Sequence, residues 1–147
     1  MMYLDANTFL RALTTSPDEP VQHMNQAAGE LFHQMERGEV VATTSDAIIA
    51  EVAFILTSKA HYHLPVDDAS DRIGTLVRLR GLRLRDKKVI LEALDVWKKH
   101  PGLGFVDALA AAHAMQPGTI LVSFDADFDR VPGVARWQPA STDNEPH

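Results

Sequence analysis

The 147 residues contain no cysteine. This excludes a disulfide framework, a thiolate zinc site, an iron–sulfur cluster and a cysteine nucleophile, and it fits a reducing compartment. No apolar run approaches the roughly 20 residues needed to span a bilayer, so no membrane partner is expected. Residues Met1 to Asp5 carry no basic region and meet a carboxylate early, so a cytoplasmic protein without a signal peptide is expected. Internal repeats, low-complexity tracts and interior linkers are also missing. Hydrophobic residues make up 46% and charged residues 23%, close to globular averages. The length suits one domain of about 100–200 residues. Residues 1–138 are expected to form that domain, and the polar, proline-flanked stretch 139–147 a frayed tail.

Positive charge is scarce. The net charge is −6, with 14 Lys and Arg against 20 Asp and Glu. Residues 72–99 hold nine of those cations and only three of the acids, leaving five cations and seventeen acids elsewhere. An acidic body with one basic stretch is either a solvated helix face or a strip that contacts phosphate. Arg78, Arg80, Arg83 and Arg85 are the candidate phosphate contacts within it.

Apolar stretches alternate between strand-like and helix-like periods. Met2–Leu4, Glu39–Thr43, Leu82–Leu84, Thr119–Phe124 and Val134–Trp137 read as strands. Val21–Arg37, Ser45–Lys59, Pro65–Arg80, Asp86–His100 and Phe105–Met115 read as helices, punctuated by Gly38, Gly81, Pro101 and Pro117. Such alternation predicts an α/β fold with a largely parallel sheet covered on both faces. Ligands of such folds bind beyond the carboxyl ends of the strands.

Two strands finish on an aspartate: Met2–Leu4 runs into Asp5, and Thr119–Phe124 into Asp125. Glu51 is the only charged residue between Ala47 and Leu56 and shares a helical stripe with Ile48 and Ile55, which predicts a buried carboxylate needing a basic partner or a metal. Asp107 stands in the first turn of an alanine-rich helix, a position the helix dipole favours on its own. Four acids on four elements suggest an oxygen-ligand cluster whose mutual repulsion Mg²⁺ or Mn²⁺ would relieve. Asn7 and Ser123 flank it and could support ligands. The chemistry such a site suits is hydrolytic phosphoryl transfer by a metal-activated water.

Other patterns are weaker. Asp125-Ala126-Asp127-Phe128-Asp129 resembles the start of a calcium loop, but Arg130 replaces the glycine and Arg136 the glutamate that loop requires. His61 and His63 have no further ligands spaced to join them and read as a surface loop. Gly102-Leu103-Gly104 lacks the third glycine of a dinucleotide site.

Four ordered segments, Tyr3-Leu4-Asp5-Ala6-Asn7, Thr43 to Val52, Phe105 to Ala112, and Leu121 to Phe128, resemble the acidic motifs of PIN-domain ribonucleases. Among these, the chain is most similar to the toxins of VapBC-type toxin–antitoxin pairs. The resemblance implies a three-layer α/β/α sandwich and Mg²⁺- or Mn²⁺-dependent cleavage of RNA phosphodiesters. It also implies a cognate antitoxin and a homodimer. Catalytic roles carry over to Asp5, Glu51, Asp107 and Asp125, with metal held by Asp5, Asp107, Asp125 and Asp127. Two rival readings are a PIN module that binds RNA or protein without cutting, and a haloacid-dehalogenase-like phosphatase. The latter chemistry wants an aspartate where Asn7 stands.

Overall fold

The computed structural model describes residues 1–140. The expected 139–147 tail lies almost wholly outside them. The chain forms β1 (Met2–Tyr3), α1 (Ala6–Leu13), α2 (Glu19–Glu36), β2 (Ala42–Thr43), α3 (Asp46–Thr57), α4 (Val66–Val77), α5 (Lys87–Lys99), α6 (Phe105–Ala114), β3 (Leu121–Val122), a 3₁₀ helix (Ala126–Arg130) and β4 (Arg136–Trp137). The α/β architecture expected from the sequence is present.

Every strand pairing is parallel. β1 pairs with β2, Met2 opposite Ala42 and Tyr3 opposite Thr43. Leu82 bridges Ala42 on the far side of β2, fixed by Ala42 N–H to Gly81 O at 2.8 Å and Arg83 N–H to Ala42 O at 2.8 Å. β3 pairs separately with β4. The strands thus form two short parallel pieces rather than the single longer sheet expected. Thr119–Phe124 has the composition of a six-residue strand, yet among the described residues the ladder with β4 covers Leu121 and Val122 alone, extended by one bond from Ser123 N–H to Trp137 O at 3.1 Å. Ile120, Val122 and Phe124 project into solvent on one face.

Helices enclose the core. Phe9, Met35, Ile49, Val52, Leu56, Ile73, Val77, Leu82 and Ile90 are fully buried. Phe9 of α1 meets Phe32 of α2 with ring centroids 5.3 Å apart, and Trp97 of α5 meets Phe105 of α6 edge-on at 5.5 Å. Both spacings lie in the favourable range for aromatic pairs. Buried hydroxyls are satisfied across elements: Thr44 donates to Leu4 O at 2.8 Å, joining β2 to β1, and Ser70 donates to Leu94 O at 2.8 Å, joining α4 to α5. Among the described residues no helix is long and apolar enough to cross a membrane.

Gly81 shows how closely the backbones approach. A Cβ there would strike the Val40 carbonyl and the Met35 backbone, because the chain leaving α4 presses against the turn between α2 and β2. Without a side chain at this point, Leu82 reaches Ala42.

Candidate active site

Topology puts Asp5 and the start of α3 on one side of the fold. β1 and β2 run parallel, so α1 and α3, which follow them directly, both start at the carboxyl ends of the strands. Asp5 is the N-cap of α1, and its Oδ1 accepts the Ala6 N–H at 2.7 Å. Ser45 stands at the N-cap of α3, but its hydroxyl is engaged elsewhere, accepting the Tyr3 hydroxyl at 2.6 Å. That bond ties the end of β1 to the start of α3.

Glu51 departs from the sequence expectation. It is exposed, not buried, and has no basic partner within ion-pair distance among the described residues. The buried face of α3 is Ile49, Val52, Ala53 and Leu56. Ile48 and Ile55, which share the stripe with Glu51, are only half-buried. Almost every residue of this helix is apolar, so the sequence offers no polar contrast to mark the inward face. A carboxylate in water needs no compensating partner.

Asp107 is half-buried in the first turn of α6. It lines a cleft of about 500 Å³ between α3 and α6, together with Ala50, Phe54, Trp97, Leu103 and Val106. Phe54 and Val106 are 67% and 64% exposed, so the rim is apolar and open. Gly102 and Leu103 also line a second cavity of about 120 Å³, shared with His100, Asp127 and Arg130. The loop preceding α6 therefore has the cleft of Asp107 on one side and Asp127 on the other.

Asp125 follows β3, is exposed, and caps the 3₁₀ helix: its Oδ1 accepts the Asp127 N–H at 2.9 Å. Ser123 stabilises the same turn, its Oγ accepting the Asp125 N–H at 3.0 Å. Phe128 is buried and anchors the turn inward. Asp127 lies 3.7 Å from Arg130. Asp129 forms a two-pronged pair with Arg136, at 2.9 Å to both carboxylate oxygens. Hydrogen bonding from Arg136 holds the Asp129 carboxyl below its ordinary range and raises the guanidinium in turn.

Arg136 is a residue that the sequence pattern does not single out. Its side chain is 14% exposed and also donates to Ser123 O at 2.9 Å. It joins β4 to the strand end and the turn that carry Asp125 and Asp127. The only trace in the sequence is an arginine within an otherwise apolar edge strand, facing a partner seven positions back.

Asn7 does not join these groups. It lines an open cleft with Arg11 and Met24 between α1 and α2. His61 and His63 are exposed, in keeping with a surface loop. Among the described residues no three His, Asp or Glu side chains are gathered closely enough to hold a metal ion. The donor chemistry is that of a hard cation, since every candidate supplies carboxylate oxygen, but the acids do not form a closed cage.

A search of curated proteins gave no match. The PIN domain family matches residues 2–134, spanning every element from β1 to the loop before β4. The chain therefore belongs to the PIN domain family, a fold whose members are generally nucleases.

Proposed function

We propose that this chain is a metal-dependent endoribonuclease acting as the toxin of a toxin–antitoxin pair. The observation that carries the reading is the PIN domain match over residues 2–134, in a chain that keeps an acid at the end of β1, on α3, in the first turn of α6 and after β3. Asp5, Asp107, Asp125 and Asp127 are the carboxylates that would hold Mg²⁺ or Mn²⁺, although the described residues do not gather three of them as closely as a bound ion requires. Such an ion, when bound, neutralises charge developing on the phosphate and activates water.

The protein's own groups prepare the site. Ala6 N–H fixes Asp5 Oδ1 and Asp127 N–H fixes Asp125 Oδ1, leaving Oδ2 of each carboxylate for a ligand. These local bonds set the rotamers in advance, which lowers the ordering cost of binding. Asp107 is held at the cleft by the first turn of α6. Glu51 stands exposed one turn before Phe54 on α3 and is the acid free to orient water. A cognate antitoxin and a second copy of the chain are the protein partners of this reading.

RNA cleavage should require Mg²⁺ or Mn²⁺ and fall by at least about 100-fold in Asp107→Asn, with the circular dichroism spectrum retained. Full activity in chelator, or in the Asn variant, rejects the mechanism. RNA binding without cleavage in either metal assigns the chain to non-cutting PIN modules.

A further inference from the structure

The nine cations of residues 72–99 are not equivalent, and their surroundings divide them. Arg72 is bound to Asp68 at 2.7 Å, Lys98 to Asp71 at 2.7 Å and Lys99 to Asp95 at 2.9 Å. Lys87 donates to Leu79 O at 3.0 Å and is partly buried, which lowers its pKa. The Arg78 guanidinium lies over Gly74 and the Arg80 guanidinium over Gly38, so near that a Cβ at either glycine would collide with it. Only Arg83, Arg85 and Lys88 remain exposed with neither an ion pair, a side-chain hydrogen bond nor a glycine beneath them among the described residues.

Chain direction separates the same groups. Arg78 and Arg80 precede the bridge at Leu82, whereas Arg83 and Arg85 follow it. The bridge is parallel to β2, and β2 to β1. Residues after Leu82 therefore run toward the carboxyl side, where Asp5 and the start of α3 also lie. Arg83 and Arg85 alternate with Leu82 and Leu84, which are buried and half-buried. Both arginines are exposed, Arg83 just past the bridge and Arg85 in the turn that leads into α5. Lys88 stands in the first turn of α5, three residues on.

Resting on the ribonuclease reading above, we propose that Arg83, Arg85 and Lys88 form the contact for the phosphodiester backbone of RNA. An acidic protein repels RNA over most of its surface. A cation already paired with a carboxylate offers phosphate little net charge, and one spread over a glycine must leave that packing to reach a ligand. The three unengaged cations can accept phosphate without giving up an existing contact. The four arginines singled out from sequence thereby divide, with Arg83 and Arg85 in the contact and Arg78 and Arg80 outside it.

The test compares two triple variants of equal charge change. One is Arg83→Gln/Arg85→Gln/Lys88→Gln. The other is Arg37→Gln/Lys98→Gln/Lys99→Gln, which removes cations already paired with acids. Binding of a single-stranded RNA is measured in chelator across a salt series, with cleavage by the wild type assayed in Mn²⁺ in parallel. The first variant should bind more weakly and lose about 2 units of salt slope, since each phosphate contact on a single strand contributes about 0.7. The second should keep the wild-type slope. Equal losses in both variants, or an unchanged slope in the first while the wild type cleaves, overturn this assignment and leave the nuclease reading intact. A wild type that neither binds nor cleaves RNA overturns both.

Discussion

Three aspartates lie within five residues, and their surroundings give them different work. Asp125 and Asp127 keep carboxylate oxygens open to solvent, while Asp129 spends both of its oxygens on Arg136. Single Asp→Asn substitutions should therefore rank activity loss as Asp125 above Asp127 above Asp129. The Asp129 carboxyl is lowered by hydrogen bonding from Arg136, so the pair's contribution is present above the ordinary carboxyl pKa of about 3.9. It is lost as pH falls through the lower folded value. Asp129→Asn should thus loosen the 123–130 turn near neutral pH and make little difference in strong acid, read as amide exchange at both pH values. An Asp129→Asn protein that is the least active of the three yet exchanges like the wild type would reverse the assignment. The sequence put Asp125 at the end of an apolar strand, whereas β3 ends at Val122 and Asp125 caps the 3₁₀ helix that follows. The sequence could not reveal the partner of Asp129, because Arg136 arrives from β4 through tertiary contact.

Glycine separates two kinds of element in this chain. Gly29 lies in the middle of α2 with nothing within 4 Å of where a Cβ would stand. Gly29→Ala should stabilise by about 0.5–1 kcal/mol, because alanine costs less backbone entropy in a helix. Gly81→Ala should destabilise by about 1–3 kcal/mol, since its methyl group meets backbone that cannot rotate away. Thermal melts of the two variants should move in opposite directions; a Gly81→Ala protein as stable as the wild type would remove the close approach beneath Leu82. Five of the six α-helices among the described residues are readable from apolar period and caps, to within two or three residues at their ends. The sixth, α1, is short and starts immediately after β1. Its opening residues read as a strand end with a candidate ligand, although Asp5 serves as a cap as well. Strand lengths are the least legible feature. Composition reports a preference for extended backbone, whereas pairing depends on a neighbour remote in sequence. In Glu39–Thr43 and Thr119–Phe124 the assigned strands are two residues each.

At the scale of the molecule, helices bury the core efficiently but leave one apolar opening beside the candidate chemistry. Between α3 and α6, Trp97, Leu103 and Phe105 form the inner wall, and Phe54 and Val106 stand on an open rim. Exposed side chains of this size contribute little to the fold while they face water, and a partner that covers them gains about 25 cal/mol for each Å² buried. The proposed function names an antitoxin and a second copy of the chain as partners, and we propose the second copy as the occupant of this cleft. Its interface would lie beside Asp107 and bring two active sites near each other. Phe54→Asp tests this directly. The residue is 67% exposed, so the monomer should fold with a melting temperature within about 2 °C of the wild type, as for surface substitutions generally. A buried interfacial carboxylate without a partner costs several kcal/mol, enough to turn a micromolar dimer into a monomer in sedimentation. A wild-type protein that sediments as a monomer at 100 μM, or a Phe54→Asp protein that remains dimeric, would remove the second copy from this cleft.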